Sequence, residues 1–181
     1  MKLWMLAAMA AVGLVAMGVA YAAEQSLVGK AAPEITAKYW LNSQPLTLKG
    51  LQGKIVVVEF WATWCPPCRK SIPHLIELNK KYAGKGIVIM GLTDEPKEKV
   101  ESFAKELKMD YAIGGESTSG GAYGVTGIPT AFIVDTAGKI TWQGHPMNPE
   151  FEKALEEQLT KTPPNLETPK AKGKDKGKSK K

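Results

Sequence analysis

The order of predicted strands and helices indicates an α/β protein with a mixed central sheet covered by helices on both faces. Two nearly continuous apolar runs, residues 55–61 and 86–92, are typical of central strands buried on both sides. Residues 66–82 and 96–108 carry apolar side chains at the spacing of helices. A hairpin and a closing helix follow, so the predicted order is β-β, β-α-β-α, β-β-α.

The remaining elements are shorter and rest on local signals. Two short strands at the N-terminal side form a predicted β extension of the sheet, and a Gly/Ser-rich stretch predicts a loop before the hairpin. These elements are strands 34–41 and 45–48, a turn at 50–53, the loop 114–121, the hairpin strands 131–134 and 140–143, and the helix 150–159.

The charge of the chain is concentrated at its C-terminus. The formal net charge is +6, and residues 163–181 hold seven lysines against one Glu and one Asp. The formal net charge of residues 3–162 is zero. The excess of basic residues therefore belongs to the tail and does not indicate a nucleic-acid-binding face on the domain. The tail lacks apolar periodicity, which predicts disorder, and it is expected either to aid solubility or to contact an anionic membrane surface.

The N-terminus carries an export pattern. Lys2 precedes an apolar run over 3–20, and Ala20 and Ala22 occupy the two small-residue positions of a cleavage site. Residues 1–22 are therefore predicted to be a signal peptide. An uncleaved anchor remains the alternative, since the run is close to the ~20 residues that span a bilayer. Either reading places a domain over 23–162 outside the cytoplasm, in the periplasm or its equivalent, where disulfides persist.

The only two cysteines, Cys65 and Cys68, stand between a buried strand and a helix start. A thiol there faces unpaired backbone N–H groups and the positive end of the helix dipole, which stabilise a thiolate. Cys65 is therefore the predicted nucleophile, and Cys68, one turn later, the resolving thiol. The alternatives are a static disulfide or half of a metal site, but the two histidines have no zinc-site spacing, so no metal and no cofactor are expected.

Three segments of the sequence resemble the thioredoxin superfamily. Residues 57–69, VVEFWATWCPPCR, resemble its active-site segment, most closely that of exported TlpA/ResA-type proteins. Residues 28–33, VGKAAP, resemble a segment that this branch shares with peroxiredoxins, and 123–130, YGVTGIPT, resemble the cis-proline loop. The resemblance covers residues 27–160 and implies a thioredoxin fold. A peroxiredoxin activity is weakly supported, because those enzymes place a lone cysteine differently.

The resemblance also implies roles for individual residues. Pro129 should follow a cis peptide bond, and the backbone of Ile128 should pair with an extended substrate segment. Trp64 and Pro66 are expected at the rim that substrates contact. Glu59 matches the acidic residue of thioredoxins, and a carboxyl in an apolar strand has a raised pKa suited to proton relay to the resolving cysteine. ResA-type proteins often carry a further acid three positions after the second cysteine, where this chain has Ser71.

Two catalytic functions remain open at the level of sequence. One is a reductant of exported protein disulfides, for example those of apocytochromes c, supplied with electrons by a membrane protein. The other is a disulfide oxidant or isomerase. The two prolines between the cysteines remove backbone N–H groups and favour the less oxidising, reductant function. A thioredoxin-fold binding module without turnover is the third possibility, disfavoured by the intact cysteine pair. The chain is expected to act as a monomer.

Overall fold

The computed structural model describes residues 26–161 and 163–164, which form a six-stranded mixed sheet with three α-helices. The strands and helices are β1 Tyr39–Leu41, β2 Ile55–Phe60, α1 Pro66–Lys81, β3 Ile87–Leu92, α2 Lys97–Glu106, β4 Ala112–Gly115, β5 Thr130–Val134, β6 Ile140–Gly144 and α3 Pro149–Lys161. The mixed α/β architecture predicted from the sequence is confirmed.

The central strand β2 positions the cysteine pair. The strand order is β1-β4-β3-β2-β5-β6, with β2 parallel to β3 and antiparallel to β5. Phe60 is the register partner of Leu92 in β3 and of Thr130 in β5. The chain that leaves β2 toward the cysteines therefore meets both the segment that follows β3 and the segment that enters β5.

The two faces of the sheet are covered differently. Ile55 and Val57 face the larger apolar cluster, to which all three α-helices contribute. Val56 and Val58 face the second cluster, which is closed by the N-terminal segment, by the 3-10 helix Lys49–Leu51 and by loop residues such as Tyr123. Within the described residues, one 3-10 turn is therefore the helical structure that packs on this second face. Connecting segments cover the remainder of the face.

Two local predictions are wrong. Residues 45–48, expected as a strand, lead into the 3-10 helix because the Glu34 carboxylate accepts hydrogen bonds from the N–H groups of Leu48 and Lys49, at 2.6 and 3.2 Å. Gly114 and Gly115, expected in a loop, belong to β4, which pairs with β1. The N-terminal β extension is accordingly β1 and a single bridge between Ala31 and Lys139.

The terminal predictions fall outside the part of the chain that the structure describes. The predicted signal peptide or anchor, residues 1–22, is one of these segments, and the Lys-rich tail beyond residue 164 is the other. Within the described residues, none of the helices has both the length and the apolar character needed to cross a membrane.

Candidate active site

The two cysteines form a disulfide at the start of α1. Cys65 is the N-cap residue, and its sulfur accepts a hydrogen bond from the backbone N–H of Cys68 at 3.2 Å. Pro66 and Pro67 occupy the first helical positions, where a missing N–H costs the helix nothing. Both cysteine side chains are buried, with 2% of Cys65 and 0% of Cys68 exposed. Of the two cysteines only Cys65 keeps any exposed surface, so a substrate disulfide is expected to meet Cys65 first.

The segment before β5 lies against this sulfur. The Ile128–Pro129 peptide bond is cis, as the resemblance implied, and the carbonyl oxygen of Ile128 is 3.7 Å from the Cys65 Sγ. Trp64, beside the pair, is 67% exposed, and Pro66 is exposed as well. The predicted rim residues and the predicted cis-proline loop are thus brought together around one sulfur atom.

A groove runs from this rim across the end of the sheet. Its volume is about 330 Å³, and it is open to solvent along one side. Trp64 and Ile128 form the end nearest the disulfide, and the loop residues Ser117, Thr118 and Val125 line it farther away. The groove therefore offers apolar contacts, the hydroxyl residues Thr93, Ser117 and Thr118 and the side chain of Asp94 to a segment bound next to Cys65.

Glu59 is fully buried in β2, below the cysteine pair. Burial raises the pKa of its carboxyl to about 8, and a hydrogen bond from Ser71, which acts in the opposite direction, does not offset this. The Ser71 hydroxyl is 3.2 Å from Glu59 Oε1 and 3.0 Å from the carbonyl oxygen of Cys68. A hydroxyl has one proton, so it can donate to only one of them at a time. The residue that replaces the acid of ResA-type proteins thus connects Glu59 to the helix turn of Cys68.

Glu95 holds the segment just before the cysteines. Its carboxylate accepts hydrogen bonds from the backbone N–H of Thr63 at 2.6 Å and from the Thr63 hydroxyl at 2.8 Å. Lys99, in α2, forms an ion pair with the same carboxylate. Burial alone would raise the pKa of Glu95, but the hydrogen bonds from Lys99 and Thr63 outweigh it and keep the pKa below its ordinary value. Glu95 therefore remains ionised and fixes the active-site loop to α2.

Within residues 26–161 and 163–164, no three His, Cys, Asp or Glu side chains come together in a way that could hold a metal ion.

Comparison with known proteins shows the family to which this chain belongs. Residues 28–143 match the model of the AhpC/TSA family. The chain belongs to this family. Relatives include a thiol-disulfide oxidoreductase ResA of Bacillus thuringiensis subsp. konkukian, 38% identical over 146 residues, which are 78% of this chain and 82% of the relative. The thiol:disulfide interchange protein HelX of Rhodobacter capsulatus is 38% identical over 121 residues, 64% of this chain and 66% of HelX.

A solved structure agrees with these sequence matches. The crystal structure of a thiol:disulfide interchange protein of the thioredoxin family from Chlorobium tepidum superposes with a TM-score of 0.61 at 27% identity, covering 76% of this chain and 99% of that one. This AhpC/TSA family member therefore has a thioredoxin-like fold and is a thiol-disulfide oxidoreductase.

The sequence did not point to Glu95 as part of the site of this AhpC/TSA protein. The available signal was its position: Glu95 follows a buried strand parallel to β2, and the carboxyl ends of parallel neighbours meet at one edge of a sheet. A polar residue three positions past such a strand is a candidate for contact with the loop that carries the cysteines.

The Glu95→Gln variant tests this contact. An amide has one oxygen and no charge, so it cannot satisfy both groups of Thr63 and also pair with Lys99. We expect the free energy of unfolding to fall by about 1–3 kcal/mol, measured by urea denaturation of the oxidised protein. Glu116→Gln, in the exposed ion pair with Lys38, is the matched control and should change it by less than about 0.5 kcal/mol. Equal losses in the two variants would show that Glu95 does not anchor the loop.

Proposed function

We propose that this thiol-disulfide oxidoreductase is an exported reductant of protein disulfides. The supporting observation is the small number of donors at the Cys65 sulfur. Among the described residues only the N–H of Cys68 donates to it, because Pro66 and Pro67, which occupy the preceding helical positions, have no N–H to give. A thiolate with fewer donors is less stabilised, which makes the reduced pair a better electron donor and the disulfide a weaker oxidant.

In the reductive direction, Cys65 acts first. Its thiolate attacks one sulfur of the substrate disulfide, forming a mixed disulfide and releasing the other substrate sulfur as a thiolate. Cys68 then loses its proton to the Glu59 carboxylate and attacks the Cys65 sulfur. The bond from Cys65 to substrate breaks, the second substrate thiolate leaves, and the Cys65–Cys68 disulfide remains. Burial raises the pKa of the Glu59 carboxyl to about 8, which makes its carboxylate a stronger base toward a thiol than an exposed glutamate would be.

The arrangement around the disulfide suits an extended substrate segment. The backbone of Ile128, beside the Cys65 sulfur, would form strand-like hydrogen bonds with this segment, and the groove from Trp64 to Thr118 would receive its side chains. An unfolded chain with a cysteine pair, such as an apocytochrome c before haem attachment, is the substrate class we propose. The predicted signal at residues 1–22 supports export, which would require a membrane protein as electron source.

The reduction potential of the cysteine pair tests the direction of the reaction. A reductant should have a value around −250 mV when equilibrated with glutathione, whereas a value near −120 mV would show a disulfide oxidant. The Pro67→Ala variant sharpens the test, because an N-cap side chain accepts bonds from the second and third helical N–H groups, and Pro67 is in the second position. We expect Pro67→Ala to raise the potential more than the control Pro66→Ala does. Equal potentials in the two variants would remove the argument based on donor number.

A further inference from the structure

Asp94 brings a negative charge into the groove beside the disulfide. Among the described residues that line this groove, it is the one with a charged side chain. The residue is exposed, and within residues 26–161 and 163–164 its carboxylate has neither an ion pair nor a hydrogen bond. The next residue, Glu95, is by contrast buried and paired with Lys99. The Asp94 carboxylate therefore remains open to a molecule that binds in the groove.

The backbone that carries Asp94 is held on both sides. Thr93 and Glu95 are 3% and 6% exposed. The carbonyl oxygen of Thr93 accepts a hydrogen bond from the N–H of Ser117 at 2.9 Å, and that of Glu95 accepts one from the Tyr39 hydroxyl at 2.9 Å. The position of Asp94 is thus fixed before a substrate arrives, which lowers the entropy that must be lost on binding.

The groove around this carboxylate suits a long basic side chain. Its walls are largely apolar, with Trp64, Val125 and Ile128 among the lining residues. The stem of a lysine or arginine packs well on such walls while its charged end stays at a polar group. Apolar walls also exclude part of the water that would otherwise weaken the attraction between opposite charges.

The charge of the chain as a whole acts in the opposite direction. The formal net charge is +6, and residues 3–162 sum to zero. Attraction to the whole chain would therefore favour acidic segments over basic ones. A preference for basic segments can then arise only from a local group, and the groove contains one such group among its described residues, Asp94.

We propose that Asp94 is a specificity-determining residue that selects substrate segments with a lysine or arginine near the cysteine. This inference rests on the proposed function, because it requires the substrate segment to lie in the groove while its sulfur reaches Cys65. It adds the chemical class of that segment. The basic side chain would lie along the apolar walls and form an ion pair with the Asp94 carboxylate.

Peptide disulfides that differ at one position test the proposal. Each peptide carries Lys or Glu at one of several positions near its cysteine, and the reduced full-length protein supplies the electrons. Each second-order rate constant is divided by that of the same peptide with dithiothreitol, which corrects for the effect of a neighbouring charge on the disulfide itself. At the best position we expect the Lys peptide to react about threefold to tenfold faster than the Glu peptide. Added salt should weaken this preference.

Variants of the protein locate the preference. Asp94→Asn should bring the corrected rate constants of the two peptides together, and Asp94→Lys should reverse their order. Glu77→Gln is the matched control, because it removes the same charge from an exposed position of α1 that does not line the groove. Glu77 lies roughly 16 Å along the helix axis from the start of α1. The control should keep the preference of the wild-type protein.

Three results would overturn the proposal: no preference for the Lys peptide in the wild-type protein, an unchanged preference in Asp94→Asn, or an equal loss in Glu77→Gln. Failure of the reductant function would look different, because the reduction potential would then be that of a disulfide oxidant. In that case the oxidised protein would react with the reduced peptides, and the same comparison of Lys and Glu peptides would still test Asp94.

Discussion

Replacing Cys65 with serine should reduce insulin-disulfide reduction to the rate of the uncatalysed exchange. The Cys65 sulfur is the one at the helix start, next to Ile128 and the exposed Trp64. Cys68 is fully buried and has no route to a protein substrate unless Cys65 has first reacted. The turbidity assay with dithiothreitol as electron source measures the loss. Circular dichroism of the variant would show that the fold is retained.

The Cys68→Ser variant separates attack from resolution. It should accumulate a mixed disulfide through Cys65, since the attacking thiol remains while the resolving thiol is missing. Non-reducing electrophoresis and mass spectrometry identify the adduct and the cysteine that carries it. Normal turnover by Cys65→Ser, with no adducts on Cys68→Ser, would mean that the two thiols have been assigned the wrong way round.

The stability of the oxidised protein should fall as pH rises from about 5 to 8. The pKa of Glu59 is about 8 in the folded protein against a reference of 4.5, because burial penalises the charge. Between these values the folded state binds the proton and the unfolded state does not. The stabilisation that the folded state gains from this bound proton is complete below pH 4.5. It is lost at roughly 1.4 kcal/mol per pH unit as the pH rises toward 8. Urea unfolding across this pH window measures it.

The Glu59→Gln variant shows how much of the pH dependence of stability comes from Glu59. A neutral amide does not titrate, so the difference in unfolding free energy between wild type and variant should shift in favour of the variant by several kcal/mol from pH 5 to 8. Glu116→Gln, at the exposed ion pair with Lys38, should show no comparable slope. In single-turnover kinetics the resolving step should also be slower in Glu59→Gln. The part of its pH dependence that comes from the titration of Glu59 should be lost. A parallel pair of stability curves would mean that Glu59 is not protonated in the folded state.

The sequence allowed prediction of the elements whose signal is local. The run over 55–60 is apolar on both faces except at Glu59, and the proline pair marks the start of α1, so β2 and its junction with the helix were predictable. The glycines of β4 were not. A methyl on Gly115 would overlap the ring of Tyr39, and one on Gly114 would lie 2.8 Å from Cδ2 of Leu92. These glycines make room for side chains from other strands, and that requirement is tertiary.

The distinction between local sequence signals and tertiary contacts also applies to the residues of the candidate active site. The cysteine pair, Glu59 and the cis bond before Pro129 lie in segments with a recognisable local pattern. Glu95 contacts the site from outside those segments, through the register of β2 against β3. A single side chain reaching across a sheet edge leaves no periodicity in the sequence, so only the assembled structure shows it.

One wall of the groove comes from a part of the chain that is separate from the disulfide. The disulfide belongs to the junction of β2 and α1, whereas Ser117, Thr118 and Val125 of the groove belong to the connection between β4 and β5. Connections at a surface accept substitutions and length changes more readily than a central strand does. Substitutions at these loop positions can therefore alter this wall of the groove while the junction that carries the disulfide is left unchanged. Exchanging Thr118 and Val125 for the residues of a relative, with the core residue Tyr123 kept, would be a practical way to alter this wall of the groove.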